Sequence, residues 1–164
     1  MIINIIGFNI SWFGLVYWGN SFIPIALVLL IAHILFLSIK PNEVLLILVI
    51  TFIGIGVDSF LQYFNVLIFV DVNHIPFWLM CLWACFAATI CHSLRLLESS
   101  KLMQVIVGAV FAPLSYIAGY KFGVVDFGYS LFFSYLILSL IWAVLFILFF
   151  YLMSRLVKVE VSYA

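Results

Sequence analysis

The chain has 164 residues, of which 69% are apolar, 19% aromatic and 7% charged, with six basic and six acidic groups and a mean hydropathy of +1.42. A soluble domain is about half apolar and about a quarter charged, and a globule of this size leaves about a third of its unfolded surface exposed. A water-soluble domain, a disordered chain and a nucleic-acid binder are therefore excluded, and the solvent for most of the chain is lipid.

A spanning helix takes about 20 mostly apolar residues. The pattern predicts an all-α polytopic membrane protein, a bundle of about six such helices over residues 3–20, 22–39, 44–63, 76–95, 102–120 and 130–154. The first lacks the basic n-region of a signal peptide and is expected to stay in the membrane. Asn20-Ser21, just before Pro24, separates the first two spans, and Lys40-Pro41-Asn42-Glu43 closes the second. Residues 65–73 (NVLIFVDVN) are apolar but too short to span. They are expected at the outer interface or against the bundle. Pro76 suits the first turn of the fourth helix. Glu98-Ser99-Ser100-Lys101 precedes the fifth, and a stretch holding Lys121, Asp126 and two glycines precedes the sixth. With six spans, Lys40, Arg95, Lys101, Arg155 and Lys158 fall on one side and Lys121 alone on the other. The positive-inside rule then places both termini in the cytoplasm.

Polar and small residues phase each helix. Asn9, Phe13, Val16 and Asn20 share a face of the first span, and Thr51, Asp58 and Gln62 one of the third, near Gly54. Trp78, Cys81, Cys85, Thr89 and His92 form a stripe on the fourth. Gly108, Ala112, Ser115 and Gly119 do so on the fifth, where they read as a packing seam that includes Pro113. The three cysteines, all in the fourth span, read as buried apolar thiols.

Ionisable groups in lipid are costly and mark function by default. Asp58 lies about 21 Å into the third span at 1.5 Å per residue. It needs a partner, and Gln62, one turn on, is in reach. A proton relay, a cation site and a head-group contact all suit it, as does a purely structural carboxyl. His33 and His92 lie at comparable depth near the cytoplasmic end. They can face each other as axial haem ligands or within a metal site, take a substrate or proton role, or hydrogen-bond structurally. Cys81, Cys85 and His92 spread over about 16 Å of one helix, too far to wrap one ion. Asp71, His74, Lys121 and Asp126 can converge outside, most simply as solvated rim. The candidate polar core is therefore Asp58, His33 and His92, with Gln62, Asn9, Ser93 and Tyr116. No metal or cofactor is expected from any spacing.

The strings NIIGFNISWFG, GVDSFLQYFNVL, PFWLMCLWACFAATICHSLRLL and GAVFAPLSYIAGYKFG resemble the DUF2878 family of small bacterial inner-membrane proteins over nearly the whole chain. Asn4, His33, Asp58, Trp83, His92 and Tyr116 are among the residues on the family pattern. The chain departs from it at Asn9, where Gln is expected, and around Trp18-Gly19-Asn20. The resemblance carries no established activity. It implies a multi-pass protein of the bacterial inner membrane, working beside fatty-acyl-modifying enzymes.

Together these features favour a lipid-binding or accessory protein, with membrane lipid and a membrane-lipid-modifying enzyme as partners. A small transporter or channel acting as an oligomer is the alternative, although carriers usually have a more polar midplane. An intramembrane enzyme or a bis-His haem protein comes third, because Asp58 and His92 fall toward opposite faces of the membrane.

Overall fold

The computed structural model describes residues 1–38, 42–69 and 74–157. Among these, six α-helices carry the chain: α1 (Ile2–Trp18), α2 (Ile23–Phe36), α3 (Glu43–Tyr63), α4 (Phe77–Ala87), α5 (Lys101–Lys121) and α6 (Leu131–Leu156). Two short strands, β1 (Leu67–Ile68) and β2 (Asp126–Phe127), pair antiparallel with Leu67 opposite Phe127. The fold is all-α in every other respect.

Four helical stretches are long and apolar enough to cross a membrane by length and composition: Ile2–Phe36, Glu43–Tyr63, Lys101–Lys121 and Leu131–Leu156. The first of these is not one straight rod. Its two α-helices meet in a 3-10 turn over Gly19–Phe22, and Gly19 sits at φ 57°, where a side chain is disfavoured. Asn4 Nδ2 lies 3.2 Å from His33 Nδ1. In a continuous helix residues 29 apart would be about 43 Å distant, so α1 and α2 fold back as an antiparallel hairpin.

The helix expected over 76–95 is α-helical only to Ala87, which corrects that span. Beyond it the amides of Thr89, Ile90 and His92 reach back three residues, to Phe86, Ala87 and Thr89 respectively. The Leu94 amide reaches back five, to Thr89, and a 3-10 turn covers Leu94–Leu97. Asn4 holds this break open. Its Nδ2 donates to the Ala88 carbonyl at 3.1 Å, and its Oδ1 accepts the Ser93 amide at 3.3 Å. One side chain of α1 thus pairs two backbone groups that leave the regular helix ladder, where an orphaned buried group would be expensive.

The chain ends of the elements gather in two sets. Asn42 donates to the carbonyl of Leu156, which puts the start of α3 beside the end of α6. Asn20 Oδ1 accepts the amide of Trp78 at 3.1 Å and so caps α4 across the α1–α2 turn. The β1–β2 pairing ties the end of α3 to the start of α6 at that same end. Val66, Leu67 and Phe69 are buried, so this part of the connection tucks against the bundle. Residues 70–73 of the same expected element lie outside the described residues, as do Lys40, Asp71 and Lys158.

Helix α4 is the hub and packs against α1, α2 and α3, while α5 and α6 pack along one another. Glycine permits both approaches. A Cβ at Gly54 would collide with the indole of Trp83, and one at Gly108 would stand 2.6 Å from the Trp142 carbonyl. The main core runs through Leu46, Ile50, Trp83, Leu138 and Phe149, and a smaller one joins Leu15, Ala26, Cys81 and Cys85. Large apolar side chains also face outward, Phe52 and Phe132 being 70% and 77% exposed. Such a surface is compatible with a hydrocarbon surrounding.

Candidate functional site

Three titratable side chains meet at one end of the bundle. His33 comes from the last turn of α2, Glu43 opens α3, and His92 follows the break after α4. A carboxylate at a helix start is electrostatically favoured, and Glu43 is buried there. His92 Nε2 lies 2.5 Å from Glu43 Oε1, and His33 Nε2 is 3.6 Å from the same oxygen. The two imidazoles touch edge to face with centroids 4.6 Å apart. One donor atom from each of the three residues lies within 4.8 Å of the others.

Asn4 sets the tautomer of His33. Its amide is oriented by Ala88 and Ser93, so its nitrogen faces His33 Nδ1. An amide nitrogen donates, so Nδ1 accepts, and neutral His33 carries its hydrogen on Nε2 toward Glu43. That Nε2 is buried, and its contact to Glu43 Oε1 at 3.6 Å is longer than a full hydrogen bond. The rings are too close for the bis-His haem expectation, since no macrocycle fits between imidazoles in contact.

Asp58 lies elsewhere, fully buried at the junction of α3, α4 and α5. Its Oδ2 accepts the Trp83 indole N–H at 2.6 Å and its Oδ1 the Tyr116 hydroxyl at 2.8 Å. Trp83 lies across Gly54 and stacks on Trp142 at 5.0 Å with an interplanar angle of 4°. Each carboxylate oxygen has a donor and the ensemble is covered by rings. This is the geometry of a tie between three helices rather than of an open contact point.

The remaining candidates scatter. Ser93 is buried and serves through its amide on Asn4. Gln62 lines a polar cavity at the opposite end with Ser59, Tyr63, Asn65 and His74. Asn9 does not face the bundle, which corrects the phasing of the first span. It is exposed and donates to the Ile5 carbonyl of its own helix at 2.8 Å. Of the expected face Val16 is buried, and the packed face of α1 runs through it with Asn4, Ser11, Gly14 and Leu15. At the end of the bundle that holds β1 and β2, Lys121 lies over the Tyr120 ring at 5.9 Å, and Asp126 accepts the Phe127 amide.

Two cavities flank α1. The one toward α5 measures about 250 Å³ and is almost wholly apolar. Trp12 and Val16 form one wall, and Ala112, Ser115 and Gly119 the other. Trp83, Phe86 and Trp142 floor it, and Phe111, 64% exposed, stands at its mouth. The small residues of α5 thus serve both purposes: Gly108 lets α6 approach, and the later members leave the groove open. The second cavity, about 240 Å³, lies between α1 and α2 and is lined by Asn4, Ser11 and His33 amid apolar side chains.

Glu43, Asn4 and Trp83 are the polar partners that sequence reasoning leaves out of the site. Glu43 reads as loop punctuation, and Trp83 as a packing aromatic. Asn4 carries a signal only through the family pattern.

The family model described as a protein of unknown function (DUF2878) matches residues 1–148. No curated protein and no solved structure matches the chain.

Proposed function

The chain belongs to the DUF2878 family, and from that premise we propose that it is a lipid-binding protein of the bacterial inner membrane. It crosses the bilayer six times with both termini in the cytoplasm, and it holds an acyl chain for a membrane-lipid-modifying enzyme. The observation that carries the reading is the groove between α1 and α5. It is an apolar slot of about 250 Å³ that reaches an apolar outer surface at Phe111. Ligand sites are typically concave and mostly apolar with a few polar groups, and the ligand that always surrounds this slot is a lipid tail.

The six crossings are supported by the gathering of helix ends into two sets. Helix α4 is the test case. Its eleven α-helical residues rise about 16 Å, roughly half the hydrocarbon thickness. The 3-10 turn over Leu94–Leu97 adds about 8 Å at about 2 Å per residue, and the turns from Ala88 to Ser93 join the two. The orientation rests on the basic residues, five of six lying on one side. The partnership with a lipid-modifying enzyme rests on the family resemblance.

Ala112→Trp fills the groove from the α5 wall. Native mass spectrometry of protein extracted in mild detergent should show wild type carrying lipid, and this variant carrying at least about tenfold less at unchanged melting temperature. Equal lipid on both proteins refutes the groove as the binding site. Lipid profiles of a deletion strain test the partnership separately: an altered acyl composition supports it, and an unchanged one removes it.

A further inference from the structure

We propose that His33, Glu43 and His92 form a binding site for a divalent first-row metal ion. Two imidazoles and one carboxylate are a sufficient protein donor set for zinc or iron(II), with the remaining positions open to water or a ligand. Three different elements deliver them to one point, with the donor atoms within 4.8 Å of one another. Coordination bonds of about 2.0–2.2 Å separate neighbouring donors by roughly 3–3.5 Å, and small rotations of the two rings bring the set to that spacing.

Two further observations point to an ion rather than to packing alone. His33 is 8% exposed and its Nε2 faces Glu43 Oε1 at 3.6 Å, longer than a full hydrogen bond. Buried polar atoms are rarely left so. The cavity between α1 and α2, lined by Asn4 and His33, reaches the α1–α2 side of the site. Surface acidic clusters lack both features.

Asn4 gates the site. Coordination through His33 Nε2 requires the ring hydrogen on Nδ1, facing an acceptor. The amide of Asn4 presents its nitrogen there instead, and turning it over forfeits the bonds to Ala88 and Ser93. Metal uptake is therefore coupled to the break after α4. A carboxylate at this position would accept from both Nδ1 and the Ser93 amide, the carboxylate–histidine–metal arrangement that tightens binding.

The test uses full-length protein without a polyhistidine tag, stripped by chelation and titrated with Zn²⁺ alone. Elemental analysis should find about one ion per chain. Glu43→Gln, His33→Gln and His92→Gln should each weaken binding by at least tenfold, and Asn4→Asp should strengthen it about tenfold. Continued protection of Cys81 and Cys85 from thiol reagents reports that each variant is folded. Cu²⁺ on wild type, which needs no variant, should give an electron paramagnetic resonance spectrum with coupling to two imidazole nitrogens. Stoichiometry below about one tenth, wild-type affinity in folded Glu43→Gln, or a copper spectrum without two nitrogens overturns the site. No tightening in Asn4→Asp overturns the gate.

Discussion

Trp83→Phe isolates the tie at Asp58. The phenyl ring still covers Gly54 and still faces Trp142, but the indole N–H, 2.6 Å from Asp58 Oδ2, is gone. Asp58 is wholly buried, so no water replaces the donor. Stranding one oxygen of a buried carboxylate costs about 1–3 kcal/mol. The smaller stacked area on Trp142 forfeits roughly 0.5 kcal/mol more. For a chain of this length 1 kcal/mol shifts the melting temperature by about 2–4 °C, so the variant should melt about 3–14 °C lower. The assay is thermal exposure of Cys81 and Cys85, 9% and 6% exposed in the fold, to a thiol-reactive dye in detergent. Adding Asp58→Asn should recover part of the loss. The neutral amide keeps its oxygen on Tyr116 and no longer buries an unpaired carboxylate oxygen. A Trp83→Phe melt within about 1 °C of wild type refutes the argument that the Trp83–Asp58 bond holds α3 to α4.

Gly108→Ala places a methyl group 2.6 Å from the Trp142 carbonyl, which cannot move without shifting α6. It should cost about 1–3 kcal/mol in the same melt. Asn20→Ala removes the acceptor for the Trp78 amide at the start of α4. A lost cap of this kind is worth about 1 kcal/mol, visible as a drop of about 2–4 °C. Asn9→Leu should leave stability within about 0.5 kcal/mol of wild type, because Asn9 is exposed and bonded only within its own helix. A large loss there would return Asn9 to the packed face.

Much of the architecture was legible because the chain follows a simple pattern: long apolar runs punctuated by polar clusters. The ranges of α3, α5 and α6 lie within two residues of those read from hydropathy. The end of α4 was not legible. No proline or glycine marks Ala87, and the break is stabilised by Asn4, a residue 84 positions from Ala88. The phasing of α1 failed for a related reason. Asn9 looks as if it needs a partner across the bundle, yet an asparagine can satisfy its amide on the carbonyl four residues back. Asn4, Ser11, Gly14, Leu15 and Val16 define the packed face, and of these the expected phasing held only Val16.

The site divides in the same way. Asp58 declares by its chemistry that it must have donors, but only the fold shows that they are Trp83 and Tyr116. His33 and His92 were legible as a pair, because both lie near the same end of their helices. Glu43, between them, was not, because a charged residue beside Lys40 and Pro41 reads as the edge of a loop. Its role emerges when the helix start it occupies is placed against α2 and the turns after α4.

The groove between α1 and α5 is the centre of this account, and a photoactivatable acyl probe interrogates it where it stands. Cells fed a diazirine-bearing fatty acid are irradiated, and the adducts on the purified protein are mapped by peptide sequencing. Adducts concentrated on Trp12, Phe111, Ser115 and Trp142, and lost in Ala112→Trp, are the predicted result. Adducts spread evenly over outward residues such as Phe52 and Phe132, with the groove residues unlabelled, would contradict it.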